Sequence, residues 1–351
     1  MNTQDNNIQF MNFNSIIPQS VNDMQVIDKK STRDFVLWGA DNRLPNTIYD
    51  TYMTCSDLQT LVNRQIDYVR GNDMMITKDD KLLTDNDSIE DVISSCIADY
   101  TLFGGFAVEG IRNSLGSLVR LNYVNVMNVR VDETLTTAFI SNKWGSWQGK
   151  NMITLPLYDK NEIQPHFIFY YRGATNRSIN PTPTWFAAMK SAMVLNESRN
   201  YNLNNIINNF SSNVVIALNG TSIKTRELEE IKNGITMGYT GSNNAGKTMV
   251  INNTNAEGKV EITRLDSDKA ADIYRNVQES SQNDLYTAFA MNPILIGVNV
   301  QTGFSKTEFA SAYALYKSTV IAPIRIEFER QFDKLGVGLK FFDLQIDWGE
   351  E

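Results

Sequence analysis

The run from Asn283 to Leu335, NDLYTAFAMNPILIGVNVQTGFSKTEFASAYALYKSTVIAPIRIEFERQFDKL, reads as the end of one helix, a compact apolar loop and a long second helix. Pro293 offers no amide donor and pushes Asn292 away from helical geometry, so Asp268 to Met291 is expected as one unit. Ser305 restarts a helix, with Glu308 at the spacing at which a hydroxyl and a carboxylate cap each other's amides. Between them lie Ile294 to Phe304, rich in Ile, Val, Gly and Asn. Such a loop is too apolar for a routine solvent connection and faces either a neighbour or a confined space. The second helix carries Phe309, Tyr313, Tyr316, Val320, Ile324, Phe328 and Phe332 at steps of three or four, which is one stripe. Pro323 predicts a kink there rather than a stop, because the stripe resumes in phase after it.

Upstream, Trp185 to Phe210 reads as a long helix entered through two prolines, with apolar positions at both ends and a polar centre around Asn196 to Asn202. A helix polar through its middle has little core to join, so it is expected to cross a gap between packed regions. Ser211 to Asp266, between the two long helices, reads as the strand NVVIALNG, a short helix TRELEEIKNG, and strands joined by Asn and Gly turns. Residues 101–173 hold six β-forming runs, expected to make a mixed but mainly antiparallel sheet region. Before them, a helix that Ser56 can cap, running to Tyr68 or Val69, and another from Ser88 to about Phe103 show a 3.6 period, stopped by Gly71 and by Gly104 and Gly105. FVLWGADNRLPNTIYD reads as a turn around Trp38 and Leu44, and residues 1–34 as an arm.

The formal charge of −8 is uneven: residues 1–100 carry 16 acidic and 8 basic side chains, which leaves 24 of each in the rest. A chain that grips DNA needs cations to neutralise phosphates, so this balance argues against tight binding and leaves room for DNA that slides past. No run suits a membrane span, and the polar N-terminus lacks the pattern of a signal peptide. Cys55 and Cys96 are expected as buried thiols, and the lone His166 as a structural residue on a strand.

Gly241, Gly246, Lys247 and Thr248 match G-x-x-x-x-G-K-[ST], a phosphate-cradling pattern in which the lysine meets the β and γ phosphates and Thr248 a magnesium ion. That chemistry requires the loop to open a helix whose amides face the anion. Met249 to Asn253 reads instead as a strand and turn, so the motif is expected to be a hairpin turn. A single histidine leaves no Ser/His/Asp set, and no cluster has metal-ligand spacing. No cofactor and no enzymatic activity are expected.

AFAMNPILIG, then TGFS, then a helix ending TVIAPIRIEFERQF with a T-x-x-x-P-x-x-x-x-x-E pattern on Thr319, Pro323 and Glu329, resembles the C-terminal part of tailed-phage portal proteins of the HK97 type. WGADN with its following proline, and LFGGFAVEGIRN, resemble the entrance and wing segments of that family. The resemblance implies an α+β fold with an N-terminal arm at 1–34 and a wing at 35–182. It places stem helices at 183–210 and 268–292, a clip at 211–267, a tunnel loop at 293–304, a kinked helix at 305–335 and a C-terminal strand and tail at 336–351. It further implies a homododecameric ring at a capsid vertex of the virion, assembled in the bacterial host cytoplasm. Double-stranded DNA would pass through the ring, which would meet terminase, a head-tail adaptor, and major capsid and scaffolding proteins. The tunnel-loop residues would be Ile296, Gly297, Val298, Asn299, Val300, Gln301, Thr302 and Gly303. They carry no positive charge, so contacts with DNA would be steric, with Gly297 and Gly303 as pivots. The alternatives are a P-loop nucleotide-binding protein acting through 241–248 and a different head-tail connector protein.

Overall fold

A computed structural model describes residues 26–30, 34–76, 82–144, 152–173, 177–207, 214–219, 249–253, 261–264, 268–298 and 306–343. The chain divides into two compact units, one holding Ser20–Met193 with Ser281–Glu351 and the other holding Val194–Ser280. Helices and strands mix in both, an α+β organisation.

The first unit opens with a short antiparallel pair, β1 (Asp28–Lys29) and β2 (Leu37–Trp38). Helix α1 (Leu44–Thr54) follows, where only a turn was expected. The turn signals are real: Gly39 has φ of 92° and Asn42 of 66°. Pro45, however, sits in the first helical turn, where its fixed φ favours the helix and its missing amide costs nothing. Helix α2 (Ser56–Arg70) starts at Ser56 without a side-chain cap, so Ser56 is a first-turn residue and not the expected capping residue. It buries Leu58, Leu61, Val62, Gln65, Tyr68 and Val69 and ends at Gly71, φ 71°. After β3 (Met74–Ile76), α3 (Ile89–Phe103) is capped by Ser88, whose Oγ accepts from Asp91 N at 3.1 Å. It ends on Gly104 in the left-handed region. A side chain on Gly104 would collide with the backbone of Thr182, which is why glycine stands there. Cys55 and Cys96 are both buried and are not joined in a disulfide.

The six β-forming runs make two three-stranded sheets. The first has β4 (Phe106–Arg112) between β5 (Leu118–Val124) and β9 (His166–Tyr171), all antiparallel. The second has β7 (Thr137–Ile140) between β6 (Val129–Val131) and β8 (Ile153–Pro156), also antiparallel. Alternation on β4 and β9 sorts the side chains. Ala107 and Ile168 join Val129, Val131, Ala138 and Leu157 in the core between the sheets. Phe106 points the other way, toward Phe328 and Phe332. His166 lies on β9 as expected, with Nε2 2.6 Å from Glu109 Oε1.

Buried polar groups tie this unit together, and none was legible as such. Arg130 is fully buried and has no carboxylate among its hydrogen-bond partners: Nε donates to Asn42 Oδ1 at 2.5 Å, Nη1 to the carbonyls of Met127 and Val129, and Nη2 to that of Asn42. Its guanidinium carbon lies 5.3 Å from the Trp38 ring and 4.9 Å from that of Trp144. The WGADN segment thus supplies both a stacking face and an acceptor for one buried cation. Burial lowers the pKa of Arg130 to about 9, which still leaves it charged at neutral pH.

Asp99, on α3, is a second such group. Its Oδ2 accepts from Tyr123 Oη at 3.0 Å and Val126 N at 2.9 Å. Burial pushes its carboxyl up to about 7, against the pull of those two donors. A raised folded pKa means that the folded chain holds a proton the unfolded chain has released between about pH 4 and 7. Stability therefore falls as pH rises through that window and is level above it. Asp99→Asn keeps an acceptor for both donors and removes the ionisation. It is expected to raise stability at pH 8, by up to about 4 kcal/mol, and to leave stability at pH 4 nearly unchanged. Denaturant melts of both proteins at the two pH values check this; equal melts at pH 8 would contradict it.

Helix α4 (Met189–Ile207) follows a 3₁₀ turn at Phe186–Ala188. Beyond it, β10 (Val214–Asn219) lies between β11 (Met249–Asn253), parallel to it, and β12 (Glu261–Arg264), antiparallel. The short helix expected at 225–234 lies outside the described residues. Helix α5 (Asp268–Ala288) then runs into a 3₁₀ turn at Pro293–Ile296, and α6 (Lys306–Tyr316) precedes α7 (Ala322–Lys334). The last strand, β13 (Leu339–Phe341), pairs antiparallel with β3. Among the described residues no helix is long and apolar enough to cross a membrane.

Candidate channel segment

The segment running from α5 through the loop to α7 is anchored at its start. Ser281, Leu285 and Phe289 are buried at steps of four. Trp185 stacks on Phe289 with ring centroids 6.0 Å apart, and its Nε1 donates to Thr101 O at 2.9 Å. Asp284 accepts from Ser191 Oγ at 2.8 Å, and Gln282 Nε2 donates to Asp57 at 3.1 Å.

Helix α5 stops at Ala288, before Pro293 and before the expected end at Met291. The stop is made by Ala290 at φ 49°, after which Met291 N donates back to Tyr286 O at 3.0 Å. This is the closing geometry that glycine ordinarily supplies, and alanine holds it at a steric cost of about 1 kcal/mol. Ala290→Gly is expected to stabilise the chain by up to about 1 kcal/mol, less the added entropy of the unfolded glycine. A denaturant midpoint read beside the parent checks this, and a loss of stability would contradict it.

Pro293 opens the 3₁₀ turn, with Asn292 Oδ1 accepting from Ile294 N at 3.0 Å. The expected apolar loop therefore begins as an ordered turn. Leu295 is buried and its carbonyl accepts from Tyr68 Oη at 2.9 Å. Gly297 follows at φ 76° with open space where a Cβ would stand, and Val298 is exposed. Of the expected tunnel-loop residues, Ile296, Gly297 and Val298 are thus at the exit of this turn. Asn299, Val300, Gln301, Thr302 and Gly303 lie outside the described residues, as does the expected cap Ser305.

The helix after the loop carries a wide turn just before Pro323, where a proline kink was expected. Lys317–Ile321 form a π-helical turn, with Ala322 N donating to Lys317 O, directly before Pro323. In a plain α-helix the proline ring would meet the Thr319 carbonyl, and the wider turn relieves that contact. The hydroxyls of Ser318 and Thr319 both donate to Leu315 O, at 2.9 and 2.8 Å. One inserted residue also shifts the stripe. The buried positions are Tyr316, Ile321, Arg325, Phe328, Gln331 and Phe332, so Val320 and Ile324 give way to Ile321 and Arg325. Val320 and Ile324 instead line an open cavity of about 480 Å³, together with Pro323, Phe289, Tyr100 and Tyr171.

Arg325 closes the end of α2. Its Nε donates to Val69 O at 2.8 Å and its Nη2 to Tyr68 O at 3.0 Å, two carbonyls left open at a helix C-terminus. Its Nη1 reaches Asp343 at 3.0 Å, and Asp343 also receives Lys317 Nζ at 2.7 Å. The hydrogen bond from Lys317 and the two cationic charges hold the Asp343 carboxyl below its usual range, against slight burial.

The phosphate-motif residues Gly241, Gly246, Lys247 and Thr248 lie outside the described residues. The segment directly after them, Met249–Asn253, is a strand whose neighbour β10 runs parallel to it. A phosphate cradle would need a helix at that point. Among the described residues no group of three His, Cys, Asp or Glu side chains could hold a metal ion.

No protein-family model matches the sequence, and no curated protein does. Solved structures do. A chain from the virion of a native gene transfer agent particle matches over 89% of this chain and 84% of its own, with a TM-score of 0.55 at 12% identity. A chain from the neck of the native particle, computed with C12 symmetry, matches over 84% of each with a TM-score of 0.52 at 14% identity. The chain has the fold of these particle proteins. A crystal structure of an HK97 family phage portal protein from Corynebacterium diphtheriae also aligns, over 84% of this chain and 94% of that one, with a TM-score of 0.49 at 12% identity. The span shared with the particle proteins takes in most of the chain, so the likeness belongs to the whole architecture and not to one motif.

Proposed function

We propose that this chain is a portal protein, a ring-forming subunit at one capsid vertex through which a genome enters and leaves. The observation that carries the reading is the shared fold over 84% of the chain with a neck protein solved under twelvefold symmetry. In this reading residues 35–182 are the wing, 183–210 and 268–292 the stem helices, and 211–267 the clip. Residues 293–304 are the tunnel loop, 305–335 the long helix beyond it, 336–351 a terminal strand and tail, and 1–34 an arm. The ring is a homododecamer, held by heterologous contacts that close by rotation.

The role is mechanical, and the protein is not an enzyme. The motor that consumes ATP is a separate terminase, which docks on the clip, as does a head-tail adaptor; capsid and scaffolding proteins surround the wing. Double-stranded DNA passes without sequence recognition, because Ile296 to Gly303 offer no cation to neutralise phosphate. The nucleotide-binding alternative is disfavoured by the strand at Met249–Asn253. Deletion of Val298 to Gln301 tests the channel role: rings are expected to form, but with less genome packaged or retained per particle in complementation. Packaging at the parental level by such rings would remove the loop from the mechanism.

A further inference from the structure

Residues 26–30 and 34–43 hold on to the rest of their unit at several places, Val36 N on Val131 O and Phe35 on Phe139 and Trp144 among them, and two of the holds carry a charged group in a buried or part-buried setting. One is the Arg130 cluster, gripped by Trp38 and Asn42. The other is Asp28. Its carboxylate accepts from Ile179 N at 2.6 Å, from Asn180 N at 2.9 Å and from Asn180 Nδ2 at 2.9 Å. Asn180 is fully buried, and its Nδ2 also donates to Leu37 O at 3.1 Å. The two places are tied to each other, since Asp28 pairs with Trp38 across β1 and β2 and Lys29 Nζ donates to Ala40 O at 3.0 Å.

Two successive amides and a side-chain amide aimed at one carboxylate form a small anion-holding concavity, and charge-assisted bonds of this kind are about twice as strong as neutral ones. What they hold is the approach to α4. Five residues after Asn180 comes Trp185, locked to Thr101 O and Phe289, and the helix departs from there. We propose that the segment is a latch on the root of α4, with Asp28 as its releasable end and Arg130 as its fixed end. The ends differ in the way a latch requires: Arg130 is wholly enclosed, whereas the Asp28 bonds lie in a part-buried setting. Releasing Asp28 loosens residues 177–182, up to the Trp185 anchor, while the sheets and α3 stay folded, so the approach to the helix loosens without unfolding of the unit. In the portal reading this places a control point at the base of a channel helix. The latch itself holds whether or not that reading does.

Hydrogen exchange on the purified full chain tests it. In Asp28→Ala, peptides covering 177–182 are expected to exchange about 10- to 100-fold faster, the loss of a charge-assisted set. Peptides covering 89–112 and 166–171 are expected to keep their parental rates. Asp28→Asn, which keeps one acceptor, shifts the same peptides in the same direction by less, and Lys30→Ala, an exposed ion-pair residue, shifts none. Unchanged rates at 177–182 in Asp28→Ala would overturn the latch. An equal acceleration across the whole molecule would also overturn it, because Asp28 would then act on global stability alone.

Discussion

Arg325→Ala lowers the stability of the chain by about 3–5 kcal/mol, the range found when one member of a buried charged set is removed. Arg325 is 7% exposed and lies in the first turn of α7, yet two of its partners are carbonyls at the end of another helix. Its loss strands the Tyr68 and Val69 carbonyls inside the protein, where each unsatisfied group costs about 1–3 kcal/mol, and leaves Asp343 with Lys317 alone. Gly71 is packed so closely on the guanidinium and on Phe342 O that a side chain there would meet both. Arg325→Lys recovers only a fraction, since an ammonium cannot span two carbonyls and a carboxylate in one plane. Asp343→Ala is expected to cost less than about 1 kcal/mol, because that carboxylate is half exposed and screened. Urea melts of the three variants give the order directly. An Arg325→Ala no worse than Asp343→Ala would show that the helix-end bonds contribute nothing.

The second large effect is expected at Phe106. This fully buried ring on β4 stacks on Phe332 at 5.7 Å and Phe328 at 5.0 Å, and meets Phe169 and Tyr171 on the neighbouring strand. It is the point at which α7 packs onto the sheet. Phe106→Ala is expected to cost about 3–5 kcal/mol, the transfer free energy of the ring plus the void it leaves. Phe106→Leu keeps most of the volume and should cost about half as much. A melt that places the alanine variant within about 1 kcal/mol of the parent, an amount on the order of a surface change, would mean that the aromatic layer collapses to fill the gap.

Phe328 and Phe332 were legible in the sequence because a 3.6 period on a helix places them on one stripe, whereas Phe106 was marked only as part of a β-forming run. The β-forming runs and the Gly71 and Gly104 stops followed from the same local rules. The π turn was not legible, because a single inserted residue changes neither composition nor the spacing on either side of it. That one residue moved Val320 and Ile324 out of the core and Arg325 into it. An arginine on an apolar stripe looks like a surface residue until the open carbonyls of a distant helix end are placed beside it. Helix α1 was hidden for a different reason: Gly39, Asp41, Asn42 and Pro45 all signal a turn, and proline in a first helical turn looks the same as proline in a loop. For the candidate channel segment, the sequence showed that a loop lies between two helices. It did not show that the loop starts as an anchored 3₁₀ turn, because the tether from Tyr68 comes from more than two hundred residues away.

Copies of this chain are expected to close into a ring around a channel, and everything proposed about its function depends on that closure. Electron microscopy of the purified protein, viewed down the particle axis, tests it most directly. The expected images are closed rings of twelvefold symmetry, as in the neck with the shared fold, with an open axial hole wide enough for duplex DNA. Monomers and dimers alone at every concentration, or a closed assembly with no axial opening, would contradict it.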